Sequence, residues 1–312
     1  MVNNKLHFIK PGMFTLLQDA GRIGFQQFGV PTGGALDKTA MKLANWLVGN
    51  KLNHPILEIT MIGPEIYLSG YCQIAFTGAD ISPTINGTPA PLGETLDLKN
   101  GDIISFGKLR SGCRAYLAVG GEWRLEKWLD SCSAAVFAGK DIVASSLISK
   151  GQSIETKPKQ FIRKRICPAN MTQPNIDEKI IRLLPGPEFE EFPRTYIAQF
   201  FSSIFRISNN SNRMGYRLDG GPVLSTNFHE LISSGTVPGT IQVTHGAQPI
   251  ILLADAQTTG GYYRIANVIS ADMDRLAQMK PGDEIKFELT DMETAYSILD
   301  LARKKMSFLP PH

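Results

Sequence analysis

Cysteine and histidine are scarce in this sequence and follow no recognisable pattern. Its 312 residues include four cysteines, none in a C-x-x-C spacing, which argues against a disulfide scaffold or a zinc ribbon. We expect these cysteines to be buried or inert thiols in a reducing cytoplasm. The five histidines have no metal-ligand spacing with one another, so we expect no metal site.

Long apolar runs and an excess of charge are also absent. The first residues, MVNNKLHFIKPG, contain no apolar signal core. No apolar run approaches the roughly 20 residues of a membrane-spanning helix. A net charge of +3 is too small to indicate binding to nucleic acid or to an anionic membrane. We therefore expect a cytoplasmic protein that binds neither.

Several common catalytic motifs are missing. The chain contains no G-x-x-x-x-G-K-[ST], no G-x-G-x-x-G and no G-x-S-x-G, so we expect no ATP-binding loop, dinucleotide site or serine nucleophile elbow in it. Ala40-Met41-Lys42-Leu43 is close to the acceptor sequence of biotin carriers. Helical periodicity places Lys42 on a polar helix face, however, and we interpret it as a solvated helix lysine.

The length and an apolar content of 43% predict two lobes, each with its own core. Short apolar runs between turn signals make residues 1–150 a β lobe, with one helix over 37–49 that Asp37 would cap. Residues 151–175 carry five Lys or Arg side chains and few apolar ones. They are predicted to form an exposed connection. Residues 176–312 are predicted to form a second β lobe that ends in a helix.

Two pairs of segments resemble each other across the lobes. Arg22-Ile-Gly-Phe resembles Arg213-Met-Gly-Tyr, and Leu98-Lys-Asn-Gly-Asp resembles Met279-Lys-Pro-Gly-Asp. The two matches occur in the same order in both halves, which indicates a tandem pair of related β-barrels. The predicted fold is therefore mainly β with a few helices.

The most suggestive polar cluster follows the apolar run from Ile250 to Ala254. We predict a buried strand there, with a polar pocket floor at its mouth. Adjacent glycines would let another group approach the backbone closely. The alternative is that the aspartate is satisfied by its own turn and that Thr-Thr-Gly-Gly is a hairpin connection. The proposed floor consists of Asp255, Gln257, Thr258, Thr259, Gly260 and Gly261.

Arginines near glycine-rich turns are further candidates for binding an anion. Asp19 and Arg22 flank one such turn, and Arg213 and Arg217 flank another. Guanidinium groups suit carboxylate or phosphate ligands because they donate paired hydrogen bonds. The alternative is an intramolecular clamp in which Arg213 pairs with Asp219 or Asp255.

Several distinctive stretches are spread in order from about residue 5 to residue 287. They are LLQDAGRIGFQQFGVPTGGALD, RAYLAVGG, SNRMGYRL, GTIQV, QPIILLADAQTTGGY and AQMKPGD. Together they resemble the allophanate-hydrolase-subunit-2 family, also called the biotin-dependent carboxyltransferase family, which includes the KipA/PxpC subunit of bacterial 5-oxoprolinase.

The resemblance implies cyclophilin-like β-barrels and a subunit of a complex that hydrolyses 5-oxoproline to glutamate with ATP as co-substrate. It implies a KipI/PxpB-like partner and a PxpA (LamB/YcsF-like) subunit. Asp255, Gln257 and Thr259 would then be the catalytic residues, with Asp255 moving a proton or orienting the substrate. Substrate-binding residues would be Arg213, Arg217, Gln242, Thr258, Gly260, Gly261, Asp19 and Arg22.

Two alternatives remain open on the sequence. The chain could be the carboxyltransferase component of a urea carboxylase/allophanate-type system, with biotin carried by another protein, or a non-catalytic regulatory partner of a KipI-like protein. It also departs from the family pattern. Cys132 and Ala134 stand in a segment that is usually Ser-Arg-Ser-Thr-like, and Tyr263 replaces a proline.

Overall fold

The chain divides into two compact units. The structure, a computed structural model, describes residues 3–137, 140–144, 146–168, 171, 178–222, 231–244 and 248–309. The first unit comprises residues 1–23 and 33–176, and the second comprises residues 24–32 and 177–312. The predicted first lobe, 1–150, therefore includes a short segment, 24–32, that belongs to the second unit.

The first unit contains a smaller sheet, against which a helix packs, and a larger sheet. The smaller sheet has the strand order β2-β3-β10-β5-β8, and the larger has the order β11-β14-β1-β4-β9-β6-β7. The elements are β1 (Asn4–Lys10), β2 (Phe14–Gln18), α1 (Lys38–Leu47), β3 (Ile56–Thr60), β4 (Glu65–Ser69), β5 (Cys72–Asp80), β6 (Pro83–Ile85), β7 (Thr88–Pro89), β8 (Leu96–Leu98), β9 (Ile103–Phe106), β10 (Ser111–Val119), β11 (Glu122–Trp123), β12 (Val136–Phe137), β13 (Lys140–Asp141) and β14 (Ser153–Lys157).

One apolar core lies between these two sheets. Phe8 and Ile66 from the larger sheet belong to the same buried cluster as Phe76 and Leu117 from the smaller one. Helix α1 covers the opposite face of the smaller sheet, where the Thr77 hydroxyl donates to its backbone. As the sequence predicts, Asp37 caps this helix, and its carboxylate accepts from the N–H of Ala40 at 2.8 Å.

The predicted connection over 151–175 contains a strand that the sequence reasoning missed. Strand β14 pairs with β1 and, through Ile154 and Thr156, buries alternate side chains. Further on, Arg165 exchanges hydrogen bonds with Thr95. The prediction of an exposed connection is therefore wrong for this part, because a short strand with only one buried aliphatic residue leaves little periodic signal. Residues 169–170 and 172–175 lie outside the described ranges.

The second unit is built on a closed barrel. Its strand order is β15-β22-β19-β20-β17-β16-β23, and a parallel pairing of β15 with β23 closes the ring. The elements are β15 (Ile180–Pro185), α2 (Arg194–Ser202), β16 (Ile204–Ile207), β17 (Gly215–Asp219), β18 (Ser234–Gly235), β19 (Thr240–Val243), β20 (Pro249–Leu252), β21 (Thr259–Gly260), β22 (Tyr263–Val268), α3 (Met273–Ala277), β23 (Glu284–Leu289) and α4 (Met292–Lys305).

Aromatic side chains pack α2 against the barrel wall. Phe200 of α2 stacks on Phe287 of β23 with ring centroids 5.1 Å apart, and Phe205 contacts both rings. The predicted C-terminal helix is α4, which Asp291 caps. No helix within the described residues is long and apolar enough to cross a membrane.

The two Lys-x-Gly-Asp segments form the same turn. In the first unit the Asp102 carboxylate accepts from the N–H of Lys99, and the N–H of Gly101 donates to a carbonyl of strand β4. In the second unit the Asp283 carboxylate accepts from the N–H of Lys280, and the N–H of Gly282 donates to a carbonyl of strand β16. Both glycines have positive φ, at 95° and 89°. The mainly β architecture is thus confirmed: a closed barrel in one unit and two sheets around one core in the other.

Candidate functional site

The strongest polar contact of the predicted pocket floor is an ion pair. The guanidinium of Arg213 donates two hydrogen bonds to the carboxylate of Asp255, from Nε to Oδ2 at 2.7 Å and from Nη2 to Oδ1 at 3.0 Å. The Arg213 side chain is only 6% exposed, whereas that of Asp255 is 27% exposed. Asp219, the other carboxylate considered for this arginine, instead accepts from the side chain of Gln248. The intramolecular clamp is therefore formed, and its partner is Asp255.

The backbone holds both members of this pair in register. A tight turn precedes β17, in which the Asn212 side chain accepts from the N–H of Met214. Beyond the paired strands β17 and β20, Leu253 donates to the carbonyl of Met214 and Asp255 donates to that of Arg213. The fork thus extends a hydrogen-bonded ladder, so two rigid strands fix its geometry.

Gln242 is buried beside the glycine pair. It is 1% exposed, and Oε1 accepts from Nε2 of Gln257 at 3.4 Å. Within the part of the chain that the structure describes, its Nε2 has no hydrogen-bond partner. A β-bulge interrupts the pairing of β19 with β22 between Ile241 and Gln242. A Cβ on Gly260 would lie 2.5 Å from Nε2 of Gln242. The close approach expected at this glycine is therefore present, and the group that approaches is an amide.

The Thr-Thr-Gly-Gly segment forms part of a small two-stranded ribbon rather than a hairpin loop. Strand β21 pairs with β18, and Thr236 anchors the start of the segment. Its N–H donates to the carbonyl of Thr258 at 2.9 Å and its hydroxyl donates to that of Gln257 at 2.7 Å. The Gln257 and Thr259 side chains are exposed, and Thr258 is half-buried.

A small cavity lies against this segment within the second unit. Pro31 and Thr32 line it together with Gln257 and Thr258. Its volume is about 10 Å³, which is room for a single water molecule. In this conformation the cavity cannot hold an organic substrate.

Arg217 lies on the outer face of the barrel. It is exposed, while its neighbours Tyr216 and Leu218 in β17 are buried. The Tyr216 hydroxyl donates to the carbonyl of Met279. Alternation along the strand therefore turns Arg217 outward.

Asp19, in the first unit, is saturated with hydrogen bonds. Its carboxylate accepts from the hydroxyls of Ser131 and Ser133, both at 2.6 Å, and from the N–H groups of Gly21 and Cys132. The Cys132 thiol is 3.2 Å from the same carboxylate. Burial by itself would raise the pKa of Asp19, but the serine hydroxyls and the two N–H groups outweigh it and hold the pKa below its ordinary value.

Arg22 is bound into the same segment. Its guanidinium donates to the carbonyl of Ser133 and lies over the Trp128 ring, 4.9 Å from the ring centroid. The segment in which this chain departs from the family pattern thus wraps around Asp19 and Arg22. Burial and the Asp19 carboxylate raise the pKa of the Cys132 thiol well above its usual range, so it stays protonated.

The predicted site residues are therefore divided between the units. Asp19 and Arg22 are in the first, and all the others are in the second. Sequence reasoning missed Thr236, whose hydrogen bonds join it to Gln257 and Thr258, and it did not place Ile250 beside Gln242, because only strand register shows that pairing. Among the described residues, no cluster of three His, Cys, Asp or Glu side chains has an arrangement able to hold a metal ion.

A family model described as "Carboxyltransferase domain, subdomain A and B" matches residues 28–289. The chain belongs to this carboxyltransferase-domain family. One member, a 5-oxoprolinase subunit from Escherichia coli, is 39% identical over 292 residues, which cover 93% of each chain.

Other members of the carboxyltransferase-domain family are much longer proteins. The urea amidolyase of Saccharomyces cerevisiae is 32% identical over 310 residues, which cover 92% of this chain and 17% of the relative. The crystal structure of the K. lactis urea amidolyase matches with a TM-score of 0.87 and 28% identity. The match covers 99% of this chain and 20% of that one. The two units described above therefore have the fold of a carboxyltransferase region.

Proposed function

We propose that this chain is a subunit of an ATP-dependent 5-oxoprolinase complex, which hydrolyses 5-oxoproline to glutamate. The observation that carries the proposal is the two-way coverage of the E. coli 5-oxoprolinase subunit, 93% of each chain. A relative of the same length and domain content supports a shared role better than a relative in which this chain corresponds to 17% of the protein.

The geometry of the second unit suggests how its residues would contribute. Both oxygens of Asp255 are engaged by Arg213, so we assign Asp255 an orienting role rather than that of the general base. The exposed side chains of Gln257 and Thr259 would donate hydrogen bonds to the oxygen on which negative charge develops as the amide is attacked. The cavity beside them holds no more than a water, so we infer that a partner protein of the complex supplies the rest of the site.

ATP would be a co-substrate bound outside this chain, because the sequence has no phosphate-binding loop. A KipI/PxpB-like and a PxpA (LamB/YcsF-like) subunit are the partners we propose. The deciding experiment purifies the chain with these two proteins and measures ATP-dependent glutamate release from 5-oxoproline, with and without the chain. Release that continues unchanged without the chain would refute a catalytic contribution and leave the regulatory alternative.

The second candidate is the carboxyltransferase component of a urea carboxylase-type system. The match of the whole chain to one region of the K. lactis urea amidolyase favours it. That reaction requires a biotin carrier from another protein, because Lys42 lies within helix α1 rather than at a hairpin tip. Biotin-dependent carboxylation of urea, measured with such a carrier added, tests this candidate.

A further inference from the structure

Three neighbouring positions on the outer face of the barrel present a charged, an apolar and an amide side chain. Arg217 in β17 pairs with Ile250 in β20, and Ile250 pairs with Gln242 in β19. Paired residues of antiparallel strands point to the same face, and adjacent strands lie about 4.8 Å apart. The backbones of Arg217 and Gln242 are therefore about 10 Å apart, a span that a small ligand and the long arginine side chain can bridge.

The amide at one end of this row has a donor without an acceptor. Nε2 of Gln242 is buried and has no hydrogen-bond partner among the described residues, which is unfavourable for a buried donor. The neighbouring Gln257 donates to Oε1 of Gln242, not to Nε2, at the long distance of 3.4 Å. The adjacent β-bulge is of the kind that re-aims side chains near functional sites. The Nε2 donor beside this bulge could therefore bind an oxygen of a ligand.

The next cation along the same face is already neutralised. Arg264 in β22 pairs with Gln242, and its guanidinium binds both oxygens of Glu188 and the carbonyl of Gly235. These hydrogen bonds from Arg264 outweigh the effect of burial and hold the pKa of Glu188 below its ordinary value. Arg217 is exposed, and no acidic side chain within the described ranges forms an ion pair with it. It is therefore the cation of this row that a ligand carboxylate can reach.

We infer that this row, Arg217-Ile250-Gln242, recognises a small lactam that carries a carboxylate. The carboxylate binds Arg217, the ring methylenes lie over Ile250, and the lactam carbonyl accepts from Nε2 of Gln242. A lactam holds its N–H and C=O on the same side, so its N–H can donate to Oε1 of the same glutamine. The inference rests on the proposed function and assigns to each side chain the group of the substrate that it binds.

Binding requires the β18–β21 ribbon to move. Gly260 lies directly against Nε2 of Gln242 and shields it from solvent. Among the described residues, the hydrogen bonds that hold the ribbon are its own short pairing, the bonds from the N–H and hydroxyl of Thr236, and the bond from Arg264 to Gly235. A carbonyl oxygen that replaces the contact with Gly260 would satisfy the orphan donor and offset part of the cost of moving the ribbon.

Two fragments of the substrate allow the binding at Arg217 and the binding at Gln242 to be measured separately. 2-Pyrrolidinone has the lactam without the carboxylate, and cyclopentanecarboxylate has the carboxylate without the lactam. Their binding to the assembled complex is measured by calorimetry, which requires no turnover. We expect Arg217→Gln to weaken cyclopentanecarboxylate about tenfold while leaving 2-pyrrolidinone unchanged. Gln242→Glu replaces the donor with an acceptor. It should weaken the binding of 2-pyrrolidinone and leave that of cyclopentanecarboxylate unchanged.

The controls guard against misfolding and against failure of the proposed function. Arg206→Gln removes another exposed arginine of the barrel and should change neither affinity. Gln242→Met, an uncharged chain of similar length, replaces Gln242→Glu if the buried charge prevents folding. Loss of both fragments in either variant, or of neither, overturns the inference. Fragment binding with this pattern in a complex that releases no glutamate would refute the proposed function alone.

Discussion

Arg213 and Asp255 form a two-point fork across strands whose backbones are already hydrogen-bonded to each other. The arginine is nearly inaccessible, while the carboxylate remains partly open to solvent. This pair orients the start of the Gln257–Gly261 segment, because Asp255 lies two residues before it. The clamp that the sequence analysis gave as the alternative for Arg213 therefore acts as one structural unit.

Replacing Asp255 with asparagine should disable the complex more than it destabilises the chain. Asparagine cannot accept two charge-assisted hydrogen bonds, and it removes the negative charge to which Arg213 donates. We expect a loss of about 1–3 kcal/mol in the free energy of unfolding, less than for a fully buried pair. Turnover of 5-oxoproline should fall at least about 100-fold, measured as glutamate release below the unfolding transition.

Asp219→Asn is the matched control for that experiment, since Asp219 is an exposed carboxylate of the same barrel that accepts from Gln248. It should leave both stability and turnover near the values of the unmodified chain. An Asp255→Asn complex with full activity would remove Asp255 from the site.

Adding a methyl group at Gly260 tests the close approach of Gln242. The new Cβ would lie 2.5 Å from Nε2 of Gln242, so the buried amide must shift. We expect Gly260→Ala to cost about 1–2 kcal/mol in stability and to raise KM for 5-oxoproline. Denaturant unfolding and steady-state kinetics provide the two readouts.

Gly235→Ala is the corresponding control in the paired strand of the same ribbon. A Cβ there would meet no atom within 4 Å, so we expect little change in either quantity. Equal effects of the two substitutions would show that the ribbon tolerates no methyl group in general, and would contradict a specific role for the contact with Gln242.

The Asp19 cluster should make the first unit sensitive to acid. The folded-state pKa of Asp19 lies below the ordinary 3.8, so its carboxylate stabilises the fold fully above that pH. The contribution is lost as the pH falls through the lower, folded-state value. We expect Asp19→Asn to lower the free energy of unfolding by about 1.5–3 kcal/mol at pH 7.

The difference between Asp19→Asn and the unmodified chain should narrow only below pH 3.8, because the unmodified carboxylate then becomes protonated too. Denaturant titrations at pH 7, 5 and 3 measure it. A difference that is the same at all three values would contradict the charged state assigned to Asp19.

Local sequence signals were sufficient for much of the fold. The Asp37 cap and the apolar spacing after it located α1, and the runs ILEIT and RAYLAV became β3 and part of β10. The two Lys-x-Gly-Asp turns could also be predicted. Such a turn needs a glycine at positive φ and an aspartate that accepts from the backbone, so its residues recur at fixed spacing. Strand β14 was missed because its residues alternate polar and apolar over too few positions to give a periodic signal.

The candidate site was harder to predict because its contacts are long-range. The pairing of Asp19 with Ser131 and Ser133 joins residues more than 100 positions apart, and nothing local in either segment indicates the other. The row from Arg217 to Gln242 exists only through the register of three strands. Sequence reasoning therefore named candidate residues and the possible Arg213–Asp255 pair, but not the register that aligns Arg217 with Gln242.

The most direct test of the central proposal compares two substrates in one assembly. The chain is purified with the proposed partners, a KipI/PxpB-like and a PxpA-like protein, and ADP formation is measured with 5-oxoproline or with urea as the only added amide. We predict ADP formation with 5-oxoproline, matched by glutamate release and lost when this chain is omitted. Turnover that responds to urea and a biotin carrier but not to 5-oxoproline would contradict the account.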